Sequence, residues 1–119
     1  MPEITICSMY HSKDSSDLLT LNYDLVKTLN PGVKFLWLIG DNRPRGGEPV
    51  EPPKGEFTFI KGYEKEEMDP VVNWPILAAY HGGSCLNALL PHCRTKYVLF
   101  LDSDFFVVQQ NWIREMIKH

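Results

Sequence analysis

The stretch Tyr97-Val98-Leu99-Phe100-Leu101-Asp102-Ser103-Asp104-Phe105-Phe106 runs five apolar residues straight into two carboxylates separated by one small residue. A continuous apolar run of this kind reads as a strand buried on both faces, the type found in parallel sheets. Such a strand needs a layer on either side of it, which narrows the fold to a few architectures. Buried Asp is rare unless it is paired or holds a cation. Asp102 and Asp104 at the strand's exit therefore point to a metal ion or a ligand, or else to carboxylates satisfied by backbone amides.

The preceding chain supplies the partners for that strand. Residues 4–9 form a short apolar strand, and Ser12-Lys13-Asp14-Ser15-Ser16-Asp17 is rich in helix-capping residues. Leu18, Leu21, Leu25 and Leu29 recur at spacings of three and four, which predicts one buried helical face ended by Asn30-Pro31-Gly32. Residues 34–41 then read as a second buried strand. This is a β-α-β unit, with parallel strands joined by a right-handed crossover. Residues 42–56 hold four prolines and three glycines and read as a loop. Residues 57–60 read as a third strand, and the acidic stretch 64–69 as a solvated loop or helical turn. Asn73-Trp74-Pro75 opens a helix expected to run to about Leu90 and to end at Pro91. Residues 111–119 read as a terminal helix with Trp112, Ile113, Met116 and Ile117 inward.

The whole chain, residues 1–119, thus reads as a single α/β domain: an open, mostly parallel sheet with helices on both faces. Ligands of such sheets bind beyond the carboxyl ends of the strands, near the point where strand order reverses. Ser8, Tyr10 and His11 follow the first strand, Asp41 the second, and Asp102 and Asp104 the fourth. Side chains two apart on an extended segment point the same way, so Asp102 and Asp104 are expected to face one ligand together. Hard carboxylate oxygens suit Mg2+ or Mn2+, which complete their shells with water and phosphate oxygens. His81, Gly82 and Gly83 read two ways, as a phosphate approach near a helix start or as helix–sheet packing. Arg43 and Arg45 could reach a diphosphate or lie solvated in their loop. His81, Cys85, His92 and Cys93 allow a zinc site to be drawn, but no C-x-x-C pair supports one.

A net charge of −3 without a basic cluster argues against a nucleic-acid partner. No apolar run approaches the ~20 residues of a membrane-spanning helix, and Met1-Pro2-Glu3-Ile4 lacks the pattern of a signal peptide. Cys7, Cys85 and Cys93, an odd number in apolar surroundings, read as reduced core residues, and a cytoplasmic location is expected.

The order ITICSMYH, then FLWLIGDN, then HGGSCLNALLPHCRTKYVLFLDSDFF resembles the Rossmann-like nucleotide-binding half of GT-A glycosyltransferases, similar to the family 2 enzymes. The resemblance extends over essentially the whole chain. It implies an Asp-x-Asp motif in which Asp104 is the principal ligand of Mn2+ or Mg2+, with Asp102 on the ribose or a metal-bound water. It also implies that Asp41 contacts the base and that Tyr10 and His11 line the nucleotide pocket. Ser8, His81 and Gly82 are expected to complete the nucleotide-sugar contacts. Asn87 matches an Arg-Asn pair of the family, whereas Leu86 stands where the arginine would be.

The function these readings imply is transfer of a sugar from a UDP- or GDP-type donor to an unidentified acceptor. Inverting transfer needs a base to deprotonate the acceptor, and of the residues after the motif only Glu115 and His119 offer one. The alternative is a non-catalytic nucleotide or nucleotide-sugar binding module, or an enzyme fragment. A second copy of the chain is a candidate for covering apolar surface on the acceptor side. A phosphatase of the haloacid-dehalogenase type also carries Asp-x-Asp after an apolar strand, but there the motif opens the fold, whereas here it closes the sequence.

Overall fold

Apolar and β-branched residues build two adjoining strands, β1 (Ile4–Tyr10) and β2 (Phe35–Asp41). Of the seven residues of β1, only Met9 is not buried. The computed structural model describes residues 2–41, 50–60 and 89–118. Two shorter strands, β3 (Thr58–Ile60) and β4 (Tyr97–Phe100), complete a four-stranded sheet in the order β3-β2-β1-β4. Every pairing is parallel. The α/β class and parallel sheet are those expected from the sequence.

Register assigns the faces, because partners in a parallel ladder point the same way. Ile4 and Ile6 share one face with Phe35 and Trp37 of β2 and with Tyr97 and Leu99 of β4. Two helices pack on that face, α1 (Lys13–Leu29) and α2 (Trp112–Lys118). They contribute Leu19, Tyr23, Val26, Trp112 and Ile113 to the main core. The opposite face carries Cys7 and Leu38, closed over by Leu89 with Ile60 and Cys93 at the margin. The helix expected over residues 73–90 lies outside the described residues apart from its end, where Leu90–His92 forms a 3-10 turn around Pro91.

Helix α1 begins at Ser12, whose side chain accepts from the Ser15 amide while Ser15 caps the Ser12 amide in return. This reciprocal box satisfies two otherwise unpaired donors. The buried stripe, however, is not the leucine series. Ser15, Ser16, Leu19, Asn22, Tyr23 and Val26 face the sheet, whereas Leu21 is 61% exposed. Small serines let the first turn approach the sheet closely, and Asn22 is drawn inward by a backbone carbonyl, so the inward face is turned away from Leu21. At the far end Asn30 is buried and stops the helix. Its Nδ2 donates to the Val26 carbonyl at 2.8 Å, and its Oδ1 accepts from the Ile113 amide at 3.0 Å. One side chain thus ends α1 and begins α2.

Strand β4 departs from the expectation of burial on both faces. It lies at the sheet's edge among the described residues, beside β1, and Val98 and Phe100 are 40% and 47% exposed on the Cys7 face. Within α2, Trp112 and Ile113 are buried and Ile117 packs on the core, but Met116 faces outward. No helix among the described residues is long and apolar enough to cross a membrane.

Candidate functional site

Strand order reverses at β1: β2 and β3 lie on one side of it and β4 on the other. Open parallel sheets bind ligands beyond the carboxyl ends of the strands that flank such a point, here β1 and β4. A cleft of about 450 Å³ opens there. His11, Ser12 and Asp14 line it from the β1–α1 side, and Asp102, Ser103 and Asp104 from the end of β4. The floor includes Cys7 and Ser8.

The Asp-x-Asp segment is not extended, as its two-residue spacing suggested. The ladder continues one residue past β4, with the Leu101 amide donating to the Cys7 carbonyl at 2.9 Å. The chain then turns, and the Phe105 amide donates to the Asp102 carbonyl at 3.1 Å. This closes a β-turn over Asp102, Ser103, Asp104 and Phe105. Both carboxylates are exposed and both border the cleft, so the turn brings about the joint presentation that strand geometry had been expected to give.

His11 is exposed, and its backbone is fixed by an amide hydrogen bond to Ser15 Oγ at 3.0 Å. Tyr10 and Asp41 face each other in the β1–β2 register but do not line the cleft. Tyr10 is instead 3% exposed and belongs to the main core, because its even-numbered position turns it toward the helices. Ser8 is 2% exposed, and its hydroxyl is committed: it donates to the Leu101 carbonyl at 2.6 Å and accepts from Trp37 Nε1 at 3.0 Å. It supports the cleft from below instead of reaching up as a ligand contact. His81 and Gly82, with Arg43, Arg45, Gly83, Cys85, Leu86 and Asn87, lie outside the described residues.

Two residues escaped the sequence reading. Asp14, taken as part of a capping stretch, projects from the first turn of α1 into the cleft lining. The helix N-terminus favours a negative charge there. Asn22 donates from Nδ2 to the Phe105 carbonyl at 2.9 Å, just beyond the turn. Its signal was a polar residue at the apolar spacing Leu19–Asn22–Val26.

The cleft is rich in carboxylate oxygen, with Asp14, Asp102 and Asp104 around it and His11 at its rim. No group of three His, Cys, Asp or Glu side chains among the described residues is arranged to hold a metal by itself. Two exposed carboxylates on one turn fit a Mg2+- or Mn2+-type ion that takes one or two protein oxygens and fills its shell from water and phosphate. The soft ligands among the described residues are the thiols of Cys7, which borders the cleft, and Cys93: their Sγ atoms stand 3.6 Å apart and neither is in a disulfide. Burial and the adjacent Cys93 push the Cys7 thiol up to about 12. No family model, curated protein or solved structure matches the chain.

Proposed function

We propose that this chain binds a nucleoside-diphosphate sugar in the β1–β4 cleft through a divalent cation on Asp102 and Asp104, and that it transfers the sugar to an acceptor hydroxyl. One observation carries the reading: a turn bearing two exposed carboxylates sits on a cleft at the reversal of strand order in a parallel sheet. The bound cation would neutralise charge on the leaving diphosphate. Asp102 and Asp104 hold it, and His11 offers an imidazole at the rim for a phosphate or sugar hydroxyl. The first turn of α1 lends the positive end of its dipole to an anionic ligand. Asp14 at the same turn opposes an unneutralised phosphate, so this cleft favours the metal-bound form of its ligand.

A second reading, binding without transfer, is favoured by the size of the cleft. At about 450 Å³ it falls in the lower part of the roughly 300–1,000 Å³ range of small-molecule pockets, room for one ligand of nucleotide size.

Titration with UDP, GDP and their sugars, with and without Mn2+, tests both readings. Wild type should bind at least one nucleotide in a Mn2+-dependent manner, and Asp104→Ala should not. Donor hydrolysis measured in parallel separates transfer from binding. Absence of metal-dependent nucleotide binding would sink both.

A further inference from the structure

The turn that carries Asp102 and Asp104 is held at both ends by buried polar side chains. Immediately before it, the Leu101 carbonyl accepts from Ser8 Oγ at 2.6 Å. Immediately after it, the Phe105 carbonyl accepts from Asn22 Nδ2 at 2.9 Å. Ser8 is 2% exposed and Asn22 is fully buried, and they come from different elements, β1 and α1. Between these anchors the turn has its own Phe105-to-Asp102 backbone bond.

We propose that Ser8 and Asn22 are positioning residues that fix the Asp-x-Asp turn in its ion-binding geometry. The proposal rests on the functional reading above. Its physical basis is that two like charges on one short turn repel and favour its opening, while Phe105, at the end of the turn, is largely exposed and gives it little packing. Fixing the flanking carbonyls limits the angles through which both carboxylates can swing.

Asn22 supplies a second argument. Its Oδ1 has no hydrogen-bond partner among the described residues although the side chain is fully buried. An unpaired buried acceptor costs stability, so a leucine of similar size would remove that cost while giving up the bond to the Phe105 carbonyl, and the two effects oppose each other. What leucine cannot do is donate to Phe105. Asn22 is thus explained by what it holds, since the core itself would accept an apolar residue.

The distinguishing experiment compares Mn2+ affinity, read from the paramagnetic resonance of the free ion, with thermal stability and with hydrogen exchange at the Phe105 amide. Asn22→Leu and Ser8→Ala are set against Leu19→Ala, which opens a core cavity and leaves both anchors in place. The anchor variants should bind Mn2+ about tenfold more weakly, the usual scale for a lost outer-shell partner, and exchange the Phe105 amide faster. Asn22→Leu should melt close to wild type, and Ser8→Thr, which restores the hydroxyl, should recover affinity lost in Ser8→Ala. Leu19→Ala should melt lower and bind Mn2+ as wild type does. Equal Mn2+ affinity in Asn22→Leu and wild type, or an equal loss in Leu19→Ala, overturns the proposal. If wild type binds no Mn2+ the functional reading falls by itself, and Phe105 exchange still decides the anchoring: a rate unchanged by Asn22→Leu ends it.

Discussion

The indole of Trp37 donates to the hydroxyl of Ser8 at 3.0 Å inside the sheet, and that hydroxyl in turn donates to the Leu101 carbonyl. Three chain segments, β2, β1 and the exit of β4, therefore meet at one oxygen. Ser8→Ala leaves both a buried N–H and a carbonyl unpaired and should cost about 1–3 kcal/mol. Urea unfolding of Ser8→Ala, Trp37→Phe and the double variant should show a coupling of about 1 kcal/mol between the two positions. Simple additivity would mean that the bond contributes nothing.

Asn30 predicts a loss at a second junction. Its side chain satisfies the Val26 carbonyl at the end of α1 and the Ile113 amide at the start of α2. Asn30→Ala orphans the Ile113 amide and leaves the Val26 carbonyl with only the Asn30 backbone amide, and about 1–3 kcal/mol should disappear. Protection of the Ile113 amide against hydrogen exchange should fall with it, which local fraying of α1 alone would not produce.

The Cys7 thiol gives stability a pH dependence of definite sign. Its pKa rises from 9.0 to about 12 on folding, first through burial and then through the neighbouring Cys93. Between those values the unfolded chain has lost a proton that the folded chain retains. Stability from this group is therefore complete below pH 9, declines by roughly 1.4 kcal/mol per pH unit above it, and levels off near the folded value. Urea midpoints at pH 8 and pH 10 should differ in wild type and should converge in Cys7→Ala. The same burial predicts that Cys7 resists iodoacetamide at pH 8 until the protein is unfolded.

Gly55 lies where a side chain has no room. A Cβ there would stand 2.8 Å from both Tyr23 Cγ and Phe57 Cε2. These two rings pack edge-on with centroids 5.1 Å apart, and Phe57 packs in turn on Trp37. Gly55→Ala should separate the rings and cost about 1–3 kcal/mol, the usual scale for overpacking. A changed near-ultraviolet dichroism spectrum with an intact far-ultraviolet one should accompany the lower melting temperature.

Much of this architecture is legible in the sequence because local rules suffice for it. Serines before a helix and apolar runs bounded by polar residues place β1, α1 and β2 within one or two residues of where they lie. The errors arise where tertiary structure chooses between local options. Leu18, Leu21, Leu25 and Leu29 form a regular stripe, yet the sheet receives Leu19, Tyr23 and Val26 together with Ser15 and Asn22. A polar residue in that stripe looks unfavourable until its partner, 83 residues away, is known. Tyr10 misled for the same reason: it ends a strand, but the face it occupies is decided by the helices that cover it. The Asp-x-Asp pair stood out in the sequence because two carboxylates follow directly on an apolar run. Its geometry was not, since the turn that presents it depends on a backbone bond to Phe105 and on anchors in two distant elements.

The place of β4 beside β1 also governs the order in which the molecule assembles. Ile4 pairs with Phe35 across one short crossover, whereas the Ser8–Leu101 bond spans 93 residues. Closing that long loop is entropically slower, so β1 and β2 can associate well before β4 arrives. On the ribosome the open flank of β1 must wait until residue 101 has emerged, and during that interval it offers backbone donors and acceptors to any passing strand. The cleft comes into being only with that last insertion. A ligand that recognises it will thus select chains in which β4 has docked, which makes binding a report on that insertion.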